Sequence, residues 1–395
     1  MATMPPFLSS AFRPFYFLGT LYAPLLAAVW LGAYLGVWEV PSVGTPLRLW
    51  HGHEMLFGFA AAIIVGIVLT ALPSWAGTEE LQGGRLALLV VLWLAGRIAF
   101  WAAPWLPAMA PAIVDILLFP AAFILVAPQL LRAANRLYLL LLPILLALTA
   151  ANLAYHYGIL AANTAFAGQG LRAAIYVIIV LYVLKGGVLT PIFSGNVLRE
   201  KGRGEQATFN LKLEMLAVGV VVLLAALDLA GAPALWVGLA ALACTGVHGV
   251  RTARWQGWRL RDAPLVFVMH LGFAWLVFAF ALKAAAELTG IVPEAAWVHA
   301  FTVGSLGLMM LGLMTRVSLR HTGRPLVVPG AMRFAYWMMF AAALLRLAAT
   351  VHGLGNWAVA LATVLWGLTF LIYFILFGAA LLRPSLPRGA PERLV

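Results

Sequence analysis

The sequence predicts an all-α, polytopic transmembrane bundle of about twelve helices, a single integral membrane domain over residues 1–395. Three observations predict it. First, 64% of the residues are hydrophobic and only 10% are charged, with a mean hydropathy of +1.00; a soluble domain carries more polar groups on its surface. Second, apolar runs recur at about the 20 residues that a helix needs to cross roughly 30 Å of hydrocarbon. Third, those runs do not alternate polar with apolar, as the roughly ten-residue strands of a transmembrane barrel do. The 37 glycines and 22 prolines suit a helical bundle, where neighbouring helices satisfy freed backbone groups.

In order, the first span (14–37) is entered through Arg13, and the second (51–74) opens with His51, His53 and Glu54. The third (84–103) carries Arg97, the fourth (108–130) Asp115, and the fifth (138–160) closes with His156. The sixth (171–193) holds Lys185 and no histidine; the seventh (211–230) ends near Asp228, and the eighth (233–251) near His248. His270, Lys283 and Glu287 lie on the ninth (264–288), and His299 opens the tenth (295–317). The eleventh (331–352) contains Arg346 and closes with His352; the twelfth is 356–382. A short, basic, Pro-rich tail at 383–395 is expected to lack regular structure. The longest connections, 194–210 and 318–332, are too short for a further domain, and no strong internal repeat supports an inverted-repeat transporter.

The net charge of +12 gathers in alternate loops. Arg132 and Arg136 form one group; Arg199, Lys201, Arg203 and Lys212 the next; Arg251, Arg254, Arg259 and Arg261 the third. Arg316, Arg320, Arg324 and Arg333 follow, then Arg383, Arg388 and Arg393, whereas the loops near 104–107, 161–170, 231–233, 289–294 and 353–356 hold no Lys or Arg. Such a positive-inside pattern places both termini in the cytoplasm. It argues against nucleic acid as a partner, since no soluble domain gathers the charge on one surface. The lone Cys244 excludes a disulfide, an iron–sulfur cluster and a thiolate zinc site. The start, MATMPPFLSSAFRPF, lacks the features of a cleaved signal peptide, so the first helix is expected to stay.

Topology then acts as a depth gauge. His51, His53, His156, His299 and His352 fall at the outer level, five of the eight histidines, while His248, His270 and His321 fall at the cytoplasmic level. Ionisable groups at the mouths of lipid-embedded helices are costly and mark sites. Neutral imidazole is the commonest ligand for haem iron and copper, so a metal or haem site using His51, His53, His156 and His299 leads. Two histidines on facing helices, one of His51 or His53 with His299, can clamp a macrocycle. Gly58 and Gly66 would leave that side of the second span thin, and Glu54 would fix the tautomer of His51. Arg48, Arg97 and Arg172 lie at a depth suited to the macrocycle's carboxylates. Met310 and Met314 read as packing, His352 as an interfacial anchor, and Lys283 with Glu287 as a mutually neutralising pair four residues apart. Asp115, Lys185, Asp228 and Arg346 are ionisable groups inside spans and stand as functional suspects or packing glue. The HEMLF run (53–57) is no zinc-protease site, because Phe57 stands where the second His belongs. No serine or cysteine stands beside a plausible base, which disfavours a hydrolase.

These motifs carry a resemblance. WHGHEMLFGFAAAIIVGIVLTALPSWAG (50–77) and HAFTVGSLGLMMLGLMTRVSLRHTGRPL (299–326), with AFRPFY (11–16), GRIAF (96–100), YHYGIL (155–160), TPIFSGN (190–196) and WQGW (255–258), resemble the NnrS family of bacterial membrane proteins across essentially the whole chain. The resemblance implies about twelve helices, haem and copper as cofactors, the bacterial inner membrane, and a role in relieving nitric oxide (nitrosative) stress in denitrification or host attack. Nitric oxide is then the implied ligand, beside the lipid bilayer and an unknown redox partner; catalytic turnover is not implied. More distantly, His51 with Met55, and TALPSW (70–75) closing that span, are similar to the haem-bearing second helix of haem–copper oxidase main subunits. The sequence lacks that group's paired histidines on helix ten and its three-histidine copper cluster, so an oxidase-type binuclear centre is not expected. The alternative is a transporter or exporter of a small metal- or nitric-oxide-linked species, with the same histidines capturing cargo transiently. MTRVSLRHTGRP (314–325) reads as a basic anchor with a turn, or more sharply as a docking or electron-donor surface through Arg320 and Arg324; the role of Arg316 stays open.

Overall fold

In lipid, each backbone N–H and C=O needs a partner within its own segment, so long apolar runs become helices. The computed structural model describes residues 5–42, 45–133 and 135–387, and among them there are twelve helices and no strand. They are α1 (Phe12–Tyr34), α2 (Leu47–Ala76), α3 (Gly83–Trp101), α4 (Met109–Arg132), α5 (Arg136–Leu160) and α6 (Thr164–Glu200). After them come α7 (Leu211–Leu229), α8 (Ala234–Arg254), α9 (Pro264–Thr289), α10 (Ala295–His321), α11 (Gly330–His352) and α12 (Asn356–Leu382). Eleven are long and apolar enough to cross a membrane; the other, α7, carries Lys212, Glu214 and Asp228 within its 19 residues. The chain is a multi-pass helical membrane protein. α6 overruns the expected 171–193 at both ends, and the side-chain oxygen of Asn163 accepts the N–H of Phe166 at 3.0 Å where it starts.

Three helices contain π-helical turns: Glu54–Ala60 in α2, Tyr182–Gly186 in α6 and Ala300–Leu306 in α10. Such turns are rare and occur mostly at functional sites. Two of them directly follow His53 and His299.

The helices form two compact units. One comprises Met1–Leu171, Leu313–Pro329 and Phe370–Val395, the other Arg172–Gly312 and Gly330–Thr369, so that α6, α10 and α12 each contribute to both. In the first unit, α5 and α6 cross at glycines. A Cβ on Gly170 would lie 2.7 Å from the Tyr155 nitrogen and 2.8 Å from the Ala151 oxygen, and one on Gly158 would lie 2.8 Å from the Ala167 Cα. Small residues of this kind let membrane helices approach backbone to backbone. Here they seat Tyr155 and His156.

Arg13 is 2% exposed rather than a snorkelling anchor. Its guanidinium donates to the carbonyls of Leu381 at 3.0 Å and Arg383 at 2.6 Å and to the Ser385 hydroxyl at 2.8 Å. A cation thus meets the carbonyls that the end of α12 leaves without helical partners. Ser385 in turn donates to the His321 carbonyl at 2.8 Å, and the Leu386 N–H to that of Thr322 at 3.0 Å. The start of the expected unstructured tail is therefore held in place, while Arg388 and Arg393 lie outside the described residues.

In the second unit, Arg251 is 1% exposed, pairs with Glu214, and donates to the carbonyl of Val183 at 3.1 Å inside the π-helical turn of α6. Its guanidinium also lies 5.1 Å from the Trp255 ring, a cation–π contact.

Candidate functional site: a buried histidine–carboxylate cluster

α2 to α5 place His53, Glu54, Arg97, Asp115, Asn152 and His156 together in the interior of the first unit, each no more than 6% exposed. The π-helical turn opens at Glu54, and the neighbours His53 and Glu54 are both wholly buried. One oxygen of Asp115 is shared by three groups: the Asn152 amide at 2.8 Å, His156 Nε2 at 2.9 Å and His53 Nε2 at 3.0 Å. Its other oxygen accepts from Arg97, which also pairs with Glu54. Tyr22 of α1 donates to Glu54, and the Trp101 N–H donates to the Tyr22 hydroxyl at 2.8 Å.

His53 is the centre of this arrangement. Its Nδ1 lies 3.2 Å from a Glu54 oxygen while its Nε2 faces Asp115, so carboxylates stand at both ring nitrogens. Phe100 and Tyr155 sandwich the ring, each with centroids 4.4 Å away, and His156 meets it edge-on at 5.1 Å. The charge balance turns on the His53 ring. Glu54 and Asp115 supply two negative charges and Arg97 one positive charge, in a dry interior where unpaired charge is costly. An imidazolium His53 donating from both ring nitrogens balances them, and a bound metal ion taking the place of its Nε2 proton would do the same. Ligand atoms of His53, Asp115 and His156 lie within 4.8 Å of one another, which suits one metal ion.

A family profile described as NnrS protein matches residues 6–385. The chain belongs to the NnrS family. No curated protein matches it. For a member of this family, haem and copper are the groups to test against these residues. His53 does not fit a haem ligand: its ring is sandwiched between Phe100 and Tyr155 in a packed cluster that has no space for a macrocycle beside Nε2. It fits a bare ion held with Asp115 and His156. His299, in the second unit, fits a haem or metal ligand. Its Nδ1 meets the Ala295 carbonyl at 2.7 Å, and a proton donated there leaves Nε2 as the lone pair, the usual arrangement of a ligating histidine.

The other expected site residues have these places. The His51 ring lies 4.5 Å from that of Trp30 in the first unit. Arg48 is exposed on the first turn of α2. Arg97 is a member of the buried cluster, not a surface cation. Arg172 belongs to a second network, in which it meets Asp228 at 3.4 Å and Glu294 at 3.6 Å. There the wholly buried Lys283 bonds Asp228, Glu287 and Glu294 at 2.9, 2.7 and 2.9 Å, so the expected Lys283–Glu287 pair is one arm of three. Gly58 makes room for protein rather than a macrocycle, since a Cβ there would lie 3.1 Å from Arg97 and from Tyr22. Gly66 likewise faces Tyr16 and Phe15. Glu54 faces His53 instead of fixing His51. Sequence reasoning missed Asn152, Tyr22 and Trp101 altogether, and marked Asp115 only as a carboxylate inside an apolar span, without a partner.

Proposed function

We propose that this NnrS-family chain is a metalloprotein of the bacterial inner membrane, with both termini in the cytoplasm, that protects against nitric oxide stress. In this proposal His53, Asp115 and His156 hold a copper ion, and His299 ligates haem, with His51 as the histidine of α2 still open to that role. The observation that carries it is the convergence of two histidines and a carboxylate from three helices on one buried point. Copper and haem would supply one-electron chemistry and nitric oxide binding. The chain's own residues have definable tasks. Arg97 offsets part of the carboxylate charge and ties Glu54 to Asp115. Asn152 and Arg97 hold the Asp115 carboxylate in its orientation, and Phe100 and Tyr155 exclude water from the His53 ring.

A transporter would use the ionisable groups inside the spans, Asp115, Lys185, Asp228 and Arg346, to line a path. Asp115 and Asp228 are instead each tied into a dense network of their own unit, and Arg346 bonds Thr350 at 2.9 Å, which supports fixed binding over a conducting path. The test is metal analysis with an optical spectrum of detergent-purified protein, reduced, with and without nitric oxide. His53→Ala and His156→Ala are expected to lose copper and keep haem, and His299→Ala to lose haem and keep copper. A folded protein without metal or colour would overturn the proposal.

A further inference from the structure

At the end of α6, a cleft of about 450 Å³ opens between the last turns of that helix, the connection to α7, and the end of α8. This lies within the size range of ligand pockets, roughly 300–1,000 Å³. Two guanidiniums line it, Arg199 and Arg254, and among the described residues neither has a carboxylate partner. Arg199 donates to the Asn196 side-chain oxygen at 2.7 Å and Arg254 to the Thr208 carbonyl at 3.4 Å, both neutral acceptors. The one acidic residue in the lining, Glu214, is already paired with the buried Arg251. The cleft therefore presents two uncompensated positive charges, with the amide of Gln206 beside them.

The lining also holds apolar side chains. Val188 and Ile192, about three and two turns before Arg199 on the same helix, are 38% and 52% exposed, and Phe209 in the connection to α7 is 66% exposed. On a membrane-crossing helix such side chains face acyl chains. A ligand complementary to this lining carries an anionic phosphate beside the arginines and hydrocarbon further along α6. We propose that this cleft binds the headgroup of an anionic phospholipid, its phosphate between Arg199 and Arg254 and its acyl chains along Val188 and Ile192. Planar guanidiniums match phosphate oxygens bidentately, which a diffuse basic surface does not offer. The site is independent of metal binding.

Native mass spectrometry of the full chain, released from detergent after incubation with phosphatidylglycerol, phosphatidylcholine or inorganic phosphate, tests this. Phosphatidylglycerol is expected to be retained over phosphatidylcholine. The Arg199→Gln/Arg254→Gln double variant should weaken phosphatidylglycerol binding roughly thirtyfold, the combined effect of two basic residues near an anionic headgroup. Both side chains are exposed, so the double variant loses no buried contact, and Arg199→Lys/Arg254→Lys should restore only part of the binding, since an ammonium keeps the charge without the bidentate fork. Lys212→Gln, an exposed cation close by that does not line the cleft, should leave binding near the original level. Equal retention of the two lipids, or equal losses in Lys212→Gln and the double variant, would overturn the site. Inorganic phosphate that binds as tightly as phosphatidylglycerol, and displaces it, would assign the cleft to free phosphate and overturn the lipid assignment.

Discussion

Asp115→Asn isolates the chemistry of the cluster, because it preserves shape and removes one charge. In the native cluster one Asp115 oxygen accepts from three groups at 2.8, 2.9 and 3.0 Å and the other accepts from Arg97. An asparagine keeps a single oxygen. Turned toward His53, His156 and Asn152, it presents its NH₂ to the Arg97 guanidinium; turned the other way, it presents NH₂ to three donors. A charge-assisted hydrogen bond contributes about 1.5–3 kcal/mol and breaking a buried pair costs about 3–5 kcal/mol, so a stability loss of about 3 kcal/mol is expected. Arg97 still has Glu54, which keeps the loss from reaching the upper figure. If the cluster holds a metal, the variant also loses its anionic ligand. Changes to groups that only orient ligands lower affinity about 10–100-fold, so loss of a ligand should weaken binding by at least about 100-fold. Chelator competition followed by elemental analysis reads the affinity, and thermal denaturation in detergent reads the stability. Tyr22→Phe serves as the control, since it loses one bond to Glu54 and no ligand. Unchanged copper affinity in folded Asp115→Asn, or equal copper loss in Tyr22→Phe, would refute the assignment of His53, Asp115 and His156 as ligands.

Three further outcomes are expected. Arg97→Leu leaves Glu54 and Asp115 buried with no cation between them and should destabilise the protein by about 3–5 kcal/mol, read as loss of monodisperse protein on mild heating in detergent. Gly170→Val drives side-chain atoms into the Tyr155 and Ala151 backbone of α5, where overpacking costs about 1–3 kcal/mol; metal content should fall with stability because His156 is on the displaced turn. Outside the spans, the Arg203 and Lys201 side chains hold the Asp262 carboxyl below its ordinary value of 3.8. A depressed carboxyl contributes stability above its unfolded pKa and loses it as pH falls through the folded one. Hydrogen exchange in the 201–210 connection should therefore differ between wild type and Asp262→Asn at pH 7, with the difference shrinking only in strong acid; a difference already gone at pH 6 would contradict the pairing.

Hydropathy was enough for the spans, because burial in lipid leaves the backbone one solution. It was not enough for α6, whose first turns depend on Asn163, nor for α7, whose three charged residues keep it short of the apolarity that the other eleven helices share. The site was half legible. His53, His156, Arg97 and Asp115 each stood out as polar groups in apolar runs, but a helical wheel cannot say which wheels touch. It also misplaces neighbours: with regular 3.6-residue turns His53 and Glu54 point apart, and only the structure shows the wider turn after which both are buried. Gly58 illustrates the same gap. A missing side chain signals space, and pattern alone does not say that Tyr22 and Arg97 fill it.

The Arg13 contact has a consequence for how the chain is made. Its carbonyl partner on Arg383 lies 370 residues further along, so a cation that enters with the first helix finds its acceptors only when the last helix arrives. At roughly 5–20 residues per second, that wait is on the order of 20–75 s of synthesis. During it, α1 holds a guanidinium without its final partners in or beside the bilayer, where such a group is expensive. Chains ending before α12 remain in that state. Pulse-labelled nascent chains truncated at Gly355 should be degraded faster than full-length ones, and Arg13→Leu should remove most of the difference. The residue that closes the bundle thus ties the stability of its first helix to a segment made far later in the chain.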